Sequence, residues 1–228
     1  MRYSLAALLL LLCSSMFGQQ VIVTVPREPA NLDVIKKQLT RYHSCTQSDC
    51  YLPQIGKQTD IAITFLRNSV SESRRGAKLA LVLDVDETAL SNWRVEEHDD
   101  FGYIQSDFSW CVQLRCGTAI AGTLRLYREA EKDKVTVFFI TGRPETQRAD
   151  TEANLKAVGY VRFRKMYMRP VNYPVGQSLA DYKSSRRAEI ARMGYRIILN
   201  VGDQLSDLIG DPKADHSVKL PNPFYLIP

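Results

Sequence analysis

The sequence predicts an α/β fold, a parallel sheet with helices on both faces, and three observations predict it. Short, unbroken apolar runs recur between residues 79 and 227, stretches of helical length separate them, and several runs stop at polar turns. Strands buried on both faces read as continuous apolar runs, and helices between them impose parallel order. In such sheets ligands gather beyond the carboxyl ends of the strands.

The elements follow in chain order. Met1-Arg2, an apolar run over residues 5–12 and the small or polar Cys13, Ser14 and Ser15 have the layout of a secretory signal peptide. The run is too short to span a bilayer, which needs ~20 residues. Candidate cleavage points follow Ser15 and Gly18, and residues 1–18 are assigned to the leader. Leu12 stands where a lipoprotein would carry a small residue before Cys13, which disfavours a lipid anchor. The mature chain is expected to carry no transmembrane segment and to be secreted or periplasmic.

Residues 19–76 read as an N-terminal helical segment, with helices over 31–44 and 54–73. In the second, Ile61, Phe65, Leu66 and Ser69 fall on one face at helical spacing, and Gly76 ends the pattern. Residues 77–228 carry the strand–helix alternation. Strands are predicted over 79–83, 135–140, 163–168, 197–201 and 224–227. Pro144 opens one intervening helix and Gly159 closes it; a second spans 181–193 and ends at Gly194. Residues 89–118 interrupt the alternation. They hold Trp93, Trp110, the acidic Glu96, Glu97, Asp99 and Asp100, and two cysteines, and read as an inserted cap.

A chain of 228 residues with 45% apolar and 24% charged residues suits one globular domain with an insertion. Loss of residues 1–18 removes one cation, Arg2, and lowers the net charge from +5 to +4. The densest basic stretch, Arg162, Arg164, Lys165 and Arg169, reads as a solvated strand edge, so no nucleic-acid polymer is expected as a partner. Beyond Cys13 the cysteines are Cys45, Cys50, Cys111 and Cys116. An even number in an exported chain suggests disulfides. Three connectivities are possible, and the short spacings favour Cys45–Cys50 and Cys111–Cys116. The spacing matches zinc-ligand patterns poorly.

The polar groups at the strand ends carry the chemistry. The first strand ends in Asp84-Val85-Asp86-Glu87-Thr88, the second in Thr141-Gly142-Arg143 and the fourth in Gly202-Asp203, with Asp207 following; Lys183 lies near a helix start between them. Parallel order would converge these groups on one sheet edge. Phosphoryl transfer from a dianionic monoester needs positive charge beside an anionic nucleophile. Asp84 and Asp203 offer carboxylates to a hard divalent ion, and a sparse all-oxygen site suits Mg²⁺. Lys183 neutralises phosphate charge, while Thr141 and the Gly142 amide donate hydrogen bonds to phosphoryl oxygens. Asp86 stands where it can protonate the leaving oxygen and then activate water. An apolar, partly dehydrated setting is expected to raise its pKa. An aspartate at a strand end is often only a loop residue or a helix cap, and D-x-D alone is weak; the four motifs in this order are not. His98 reads as a surface histidine. Trp93, Phe101, Tyr103 and Trp110 read as a small core within the cap, with stacking on an aromatic leaving group as the alternative.

D-V-D-E-T, T-G-R, Lys183 and G-D-Q-L-S-D resemble, in order, the motifs of the haloacid dehalogenase (HAD) superfamily of phosphatases. The strings LDVDETALSN, FFITGRPE, YKSSRRAEI, NVGDQLSDL and the final KLPNPFYLIP are similar to its branch of exported plant and bacterial acid phosphatases, which includes vegetative storage proteins. The resemblance covers roughly residues 79–228 and implies a Rossmann-like domain with Mg²⁺-dependent acid phosphatase activity on small phosphomonoesters. It implies a phosphoaspartyl intermediate on Asp84, Asp86 as acid and base, and Mg²⁺ held by Asp84, the Asp86 carbonyl and Asp203. It also implies that Asp207 supports the metal water or Lys183 from outside, and that Arg143 braces its loop. Phosphotransfer to an alcohol, or a storage protein with little turnover, are the alternatives. Storage relatives can lose the nucleophile, and this chain keeps Asp84.

Overall fold

A computed structural model describes residues 27–174 and 176–227. The leader assigned to residues 1–18 lies outside them. From Leu32 onward the described residues form one compact unit, and all that follows concerns it.

Two helices come first, α1 (Leu32–Ser44) and α2 (Tyr51–Ser71). The central strand β1 (Leu79–Leu83) follows. The inserted region contains β2 (Leu90–Ser91), α3 (Trp93–His98), α4 (Gln105–Gln113) and β3 (Thr118–Ala119), with β2 and β3 paired as an antiparallel ribbon. Helix α5 (Ala121–Lys132) leads to β4 (Thr136–Pro144), a 3-10 turn (Glu145–Gln147) and α6 (Arg148–Ala157). The remainder is β5 (Lys165–Arg169), α7 (Leu179–Arg192), β6 (Arg196–Gly202), the single-turn α8 (Leu205–Leu208) and β7 (His216–Lys219). The five long-range strands pair in parallel in the order β5-β4-β1-β6-β7. The chain moves outward from β1 on one side through β4 and β5 and on the other through β6 and β7, so β1 marks the crevice where a ligand is expected.

Alternation along the strands builds two cores. Leu79, Leu81, Leu83, Val137, Phe139 and Met166 pack on one face with α2 and α5 side chains such as Ile55, Leu66, Leu126 and Tyr127. Ala80, Val82, Phe138, Ile140 and Tyr167 pack on the other with Tyr182 and Ile190 of α7. Both faces are covered, which is why the runs are apolar throughout.

Four sequence expectations change. The fifth strand is His216–Lys219, and residues 224–227 form no strand. Pro221 and Pro223 lack the N–H a ladder needs, and Phe224 turns inward against Tyr51 and Trp93. The buried face of α2 runs through Tyr51, Ile55, Thr59, Ala62, Ile63, Leu66 and Ser69, leaving Ile61 outside. Pro144 ends β4 instead of opening a helix; the turn after it begins at Glu145. Trp93 and Phe101 do pack, but with His43 and Phe224 from outside the cap, while Tyr103 and Trp110 are exposed. Disulfides join Cys45 to Cys50 and Cys111 to Cys116 across Cα separations of 5.6 and 5.2 Å.

Candidate active site

Sheet geometry assembles the site. The Asp84 amide donates to the Val201 carbonyl at 3.0 Å, which extends the β1–β6 ladder by one bond and fixes the carboxylate at the crevice. Lys183, buried on the first turns of α7, donates to Asp84 Oδ1 at 2.6 Å and also to Asp207 Oδ1. Asp207 reaches inward because residue 202 is glycine: a Cβ there would lie 2.3 Å from the Asp207 Cβ. Asp207 Oδ2 also accepts from the Gln204 amide at 2.8 Å and so caps α8. Asp203 is buried and accepts from Thr88 Oγ1 at 3.1 Å, Gln204 Nε2 at 2.7 Å and Asn222 Nδ2 at 2.7 Å.

Asp84, Asp203 and Asp207 can each present a carboxylate oxygen within 4.8 Å of the other two. Only one ammonium, Lys183, is paired with this cluster in the ion pairs among the described residues. Burial raises the Asp84 carboxyl well above its usual range; Lys183 opposes this, and Asp207, Asp203 and Asp86 add to it. Burial lifts Asp203 to about 6, with Asp207 adding to the effect. For Lys183, burial alone would lower the pKa, but Asp207 and Asp84 reverse that and keep it charged. The cluster is short of positive charge, and its donors are all hard oxygens. Both features fit a divalent ion of the Mg²⁺ type.

Asp86 is placed differently. Its carboxylate leaves the cluster and is gripped by Arg143, with Nη2 2.7 Å and Nε 3.0 Å from Oδ1, and by Asn92 Nδ2 at 2.7 Å. Burial pushes Asp86 up, but the Arg143 charge, its hydrogen bonds and the Asn92 amide more than reverse this, so its pKa lies below the usual value. The expectation of a raised Asp86 is therefore corrected: an apolar setting would raise it, and a guanidinium overrides the setting. Arg143 is itself buried, bonded also to Thr151 Oγ1 at 3.2 Å and lying 5.5 Å from the Phe108 ring of α4. Thr141 is buried in β4 where the β4–β5 register breaks after Ile140, and its Oγ1 accepts from the Arg143 amide at 3.1 Å, leaving the hydroxyl proton for an acceptor. Gly142 lies beside it, and its carbonyl accepts from Arg169 Nε at 3.1 Å. His98 is on the surface, 3.9 Å from Asp107.

Sequence reasoning missed Asn92, Glu87, Tyr51 and Arg187, and gave Arg143 only a bracing role. Glu87 lies inside the recognised motif, but D-V-D-E-T does not announce that its glutamate is buried. Its carboxyl accepts from Tyr51 at 2.9 Å and from the Asn92 amide at 2.5 Å, and burial holds its pKa at about 8.

The family described as HAD superfamily, subfamily IIIB (Acid phosphatase) matches residues 15–228. Acid phosphatase 1 of Solanum lycopersicum is 37% identical over 149 residues, which are 64% of this chain and 58% of that protein. Vegetative storage protein 1 of Arabidopsis thaliana is 29% identical over 153 residues, 64% of this chain and 55% of that protein. The chain thus spans less than two thirds of the length of these relatives. Among solved structures, the class C acid phosphatase from Bacillus anthracis superposes with a TM-score of 0.68 over 86% of each chain at 20% identity, a likeness of fold.

Proposed function

The chain belongs to the HAD superfamily, subfamily IIIB, the acid phosphatases, and from that premise we propose that it is an exported, Mg²⁺-dependent phosphatase that hydrolyses small phosphomonoesters through a phosphoaspartyl intermediate on Asp84. One observation carries the reading: a buried carboxylate at the end of the central strand, 2.6 Å from a buried ammonium, in a cluster short of positive charge. Asp84, the Asp86 carbonyl and Asp203 would hold the cation, with Asp207 supporting Lys183 from behind. A bound divalent ion supplies charge that draws a phosphate dianion to a carboxylate and aligns it for attack.

The chain's own residues supply the rest. Lys183 and Thr141 bind phosphoryl oxygens, with the Gly142 amide as a further donor. Asp84 attacks phosphorus and the P–O bond to the leaving group breaks, while Asp86 gives its proton to the departing oxygen. Asp86, now anionic, then takes a proton from water as the water attacks the phosphoaspartate, which restores Asp84 and releases phosphate. Export is supported by the leader pattern and by the two disulfides.

The kinship with a protein named for storage favours a second reading, a folded reserve with little turnover. Asp84, with Lys183 already against it, argues for turnover. The deciding experiment is a p-nitrophenyl phosphate assay with Mg²⁺ and EDTA arms on wild type and Asp84→Asn. We expect Mg²⁺-dependent turnover in wild type and almost none in a well-folded Asp84→Asn, whose amide matches the carboxylate in shape but is not a nucleophile. Wild-type activity in that variant would sink the covalent mechanism, and an inactive wild type would favour the storage reading.

A further inference from the structure

We propose that Tyr51, Glu87 and Asn92 form a positioning relay that anchors one oxygen of Asp86 and leaves the other, Oδ2, as the oxygen that carries the proton. The inference rests on the acid/base role proposed for Asp86. Oδ1 accepts from Arg143 Nη2 at 2.7 Å, Arg143 Nε at 3.0 Å and Asn92 Nδ2 at 2.7 Å. Oδ2 receives only a longer contact of 3.2 Å from Arg143 Nε. A carboxylate oxygen has two lone pairs, so three donors leave Oδ1 no room for a proton. The proton belongs on Oδ2.

The orientation of the Asn92 amide follows from the chemistry of its neighbours. Its Oδ1 accepts from Arg143 Nη2 at 3.2 Å, and a guanidinium can only donate, so Nδ2 must face Asp86. Asn92 is held in turn by Glu87. The Asn92 backbone N–H donates to Glu87 Oε1 at 2.5 Å, and Tyr51 from α2 donates its hydroxyl to Glu87 Oε2 at 2.9 Å. Tyr51 and Glu87 are fully buried. Glu87 also adopts a φ of +48°, a region uncommon for any residue but glycine. Among the described residues no ion pair involves Glu87. A buried carboxyl without a cation, on backbone of unfavourable conformation, works against stability. Its position is accounted for by what it holds: the turn that carries Asp86 at one end and Asn92 at the other. Tyr51 therefore makes α2 a support of the acid/base residue from outside the strand-end motifs.

Tyr51→Phe removes one hydroxyl and keeps a ring that packs against His43 and Phe224. Glu87→Ala and Asn92→Ala break the next two links. A general acid matters for an alkyl leaving group and little for p-nitrophenolate, so rapid-quench phosphorylation rates on glycerol phosphate and p-nitrophenyl phosphate read the relay directly. We expect each variant to slow phosphorylation by glycerol phosphate about tenfold or more, within the range of general-acid effects. The rate with p-nitrophenyl phosphate and the KM for both esters should stay nearly unchanged. Equal losses on both esters, or a change in KM alone, would overturn the relay and leave these residues as structural. Should Asn92→Ala or Glu87→Ala fail to fold, Tyr51→Phe decides by itself. A wild type inactive on both esters would remove the hydrolase reading itself, a different result from an active enzyme whose variants lack the selective effect.

Discussion

Gly202 and Arg143 show how much a single residue controls here. A Cβ on residue 202 would meet the Asp207 Cβ and Oδ2 at 2.3 Å, in a place where neither backbone nor carboxylate can yield. Gly202→Ala should destabilise the fold by about 1–3 kcal/mol, as overpacking does. It should also separate Asp207 from Lys183, so turnover should fall further than the melting temperature accounts for. A variant with wild-type kcat would show that Asp207 is not needed where it stands. Arg143 acts through charge. A general acid must be protonated to act, and one held below its usual pKa is protonated only at acid pH, so alkyl phosphate turnover should fall as pH rises through that value. Arg143→Gln removes the guanidinium that overcomes burial. The Asp86 pKa should then rise, and the descending limb of the kcat profile should move to higher pH. An unmoved limb would mean that another group sets it.

Helix α7 holds the site from two successive turns. Lys183 and Arg187 are four residues apart and share a face. Lys183 serves the carboxylates, and Arg187, fully buried, donates to the backbone carbonyls of Asp207 at 2.7 Å, Gly210 at 3.1 Å and Pro212 at 3.1 Å, and also to Ile209. The loop after α8 is thus tied to the helix that carries the Lys183 ammonium. Gly210 permits the close approach, with a φ of +82° and only 2.8 Å between a notional Cβ and that of Ser184. Arg187→Met keeps the volume but leaves several buried carbonyls without a donor. We expect about 3 kcal/mol of destabilisation and weaker Mg²⁺ binding, measured by denaturant melts and by titration calorimetry. A stable variant with unchanged metal affinity would make the loop independent of α7.

Across the whole molecule, the buried carboxylates set how stability responds to pH. Burial holds Asp203 at about 6, Glu96 at about 7 and Glu87 at about 8. In the unfolded chain such groups titrate near 4. The folded state therefore binds more protons between about pH 4 and 8, and stability should fall as pH rises through that window. A divalent ion beside Asp203 favours its charged form and should remove part of this penalty. In EDTA the melting temperature should decline from pH 5 to pH 8, and Mg²⁺ should raise it more at pH 8 than at pH 5. A melting temperature that climbs with pH in EDTA would contradict the assignment. The same scale includes the aromatic cluster of His43, Tyr51, Trp93, Phe101 and Phe224, which joins α1, α2, the region between β2 and β3 and the C-terminal segment. No helix among the described residues is long and apolar enough to cross a membrane.

The sequence by itself determined four of the sheet's five strands, their parallel order and the set of groups at their ends. Apolar runs that stop at Asp84, Thr141 and Asp203 are local signals, and burial on both faces is written in their unbroken composition. With β1 between β4 and β6, the strand ends gather Asp84, Asp203 and Asp207, and Lys183 reaches them from α7. The tertiary structure alone decided where Asp86 points, because its partners Arg143 and Asn92 lie 57 and 6 residues away and are fixed by packing between β4 and the cap turn. It also decided that Glu87 is buried and meets Tyr51, 36 residues earlier in the chain. The final strand was misplaced for a related reason: His216–Lys219 is a short edge strand of mixed polarity, whereas in residues 224–227 Phe224 joins the aromatic cluster and Leu226 is exposed. Periodicity and motif report which residues are buried or reactive. Which buried group meets which depends on contacts distant in sequence, and these also set the charge state of Asp86.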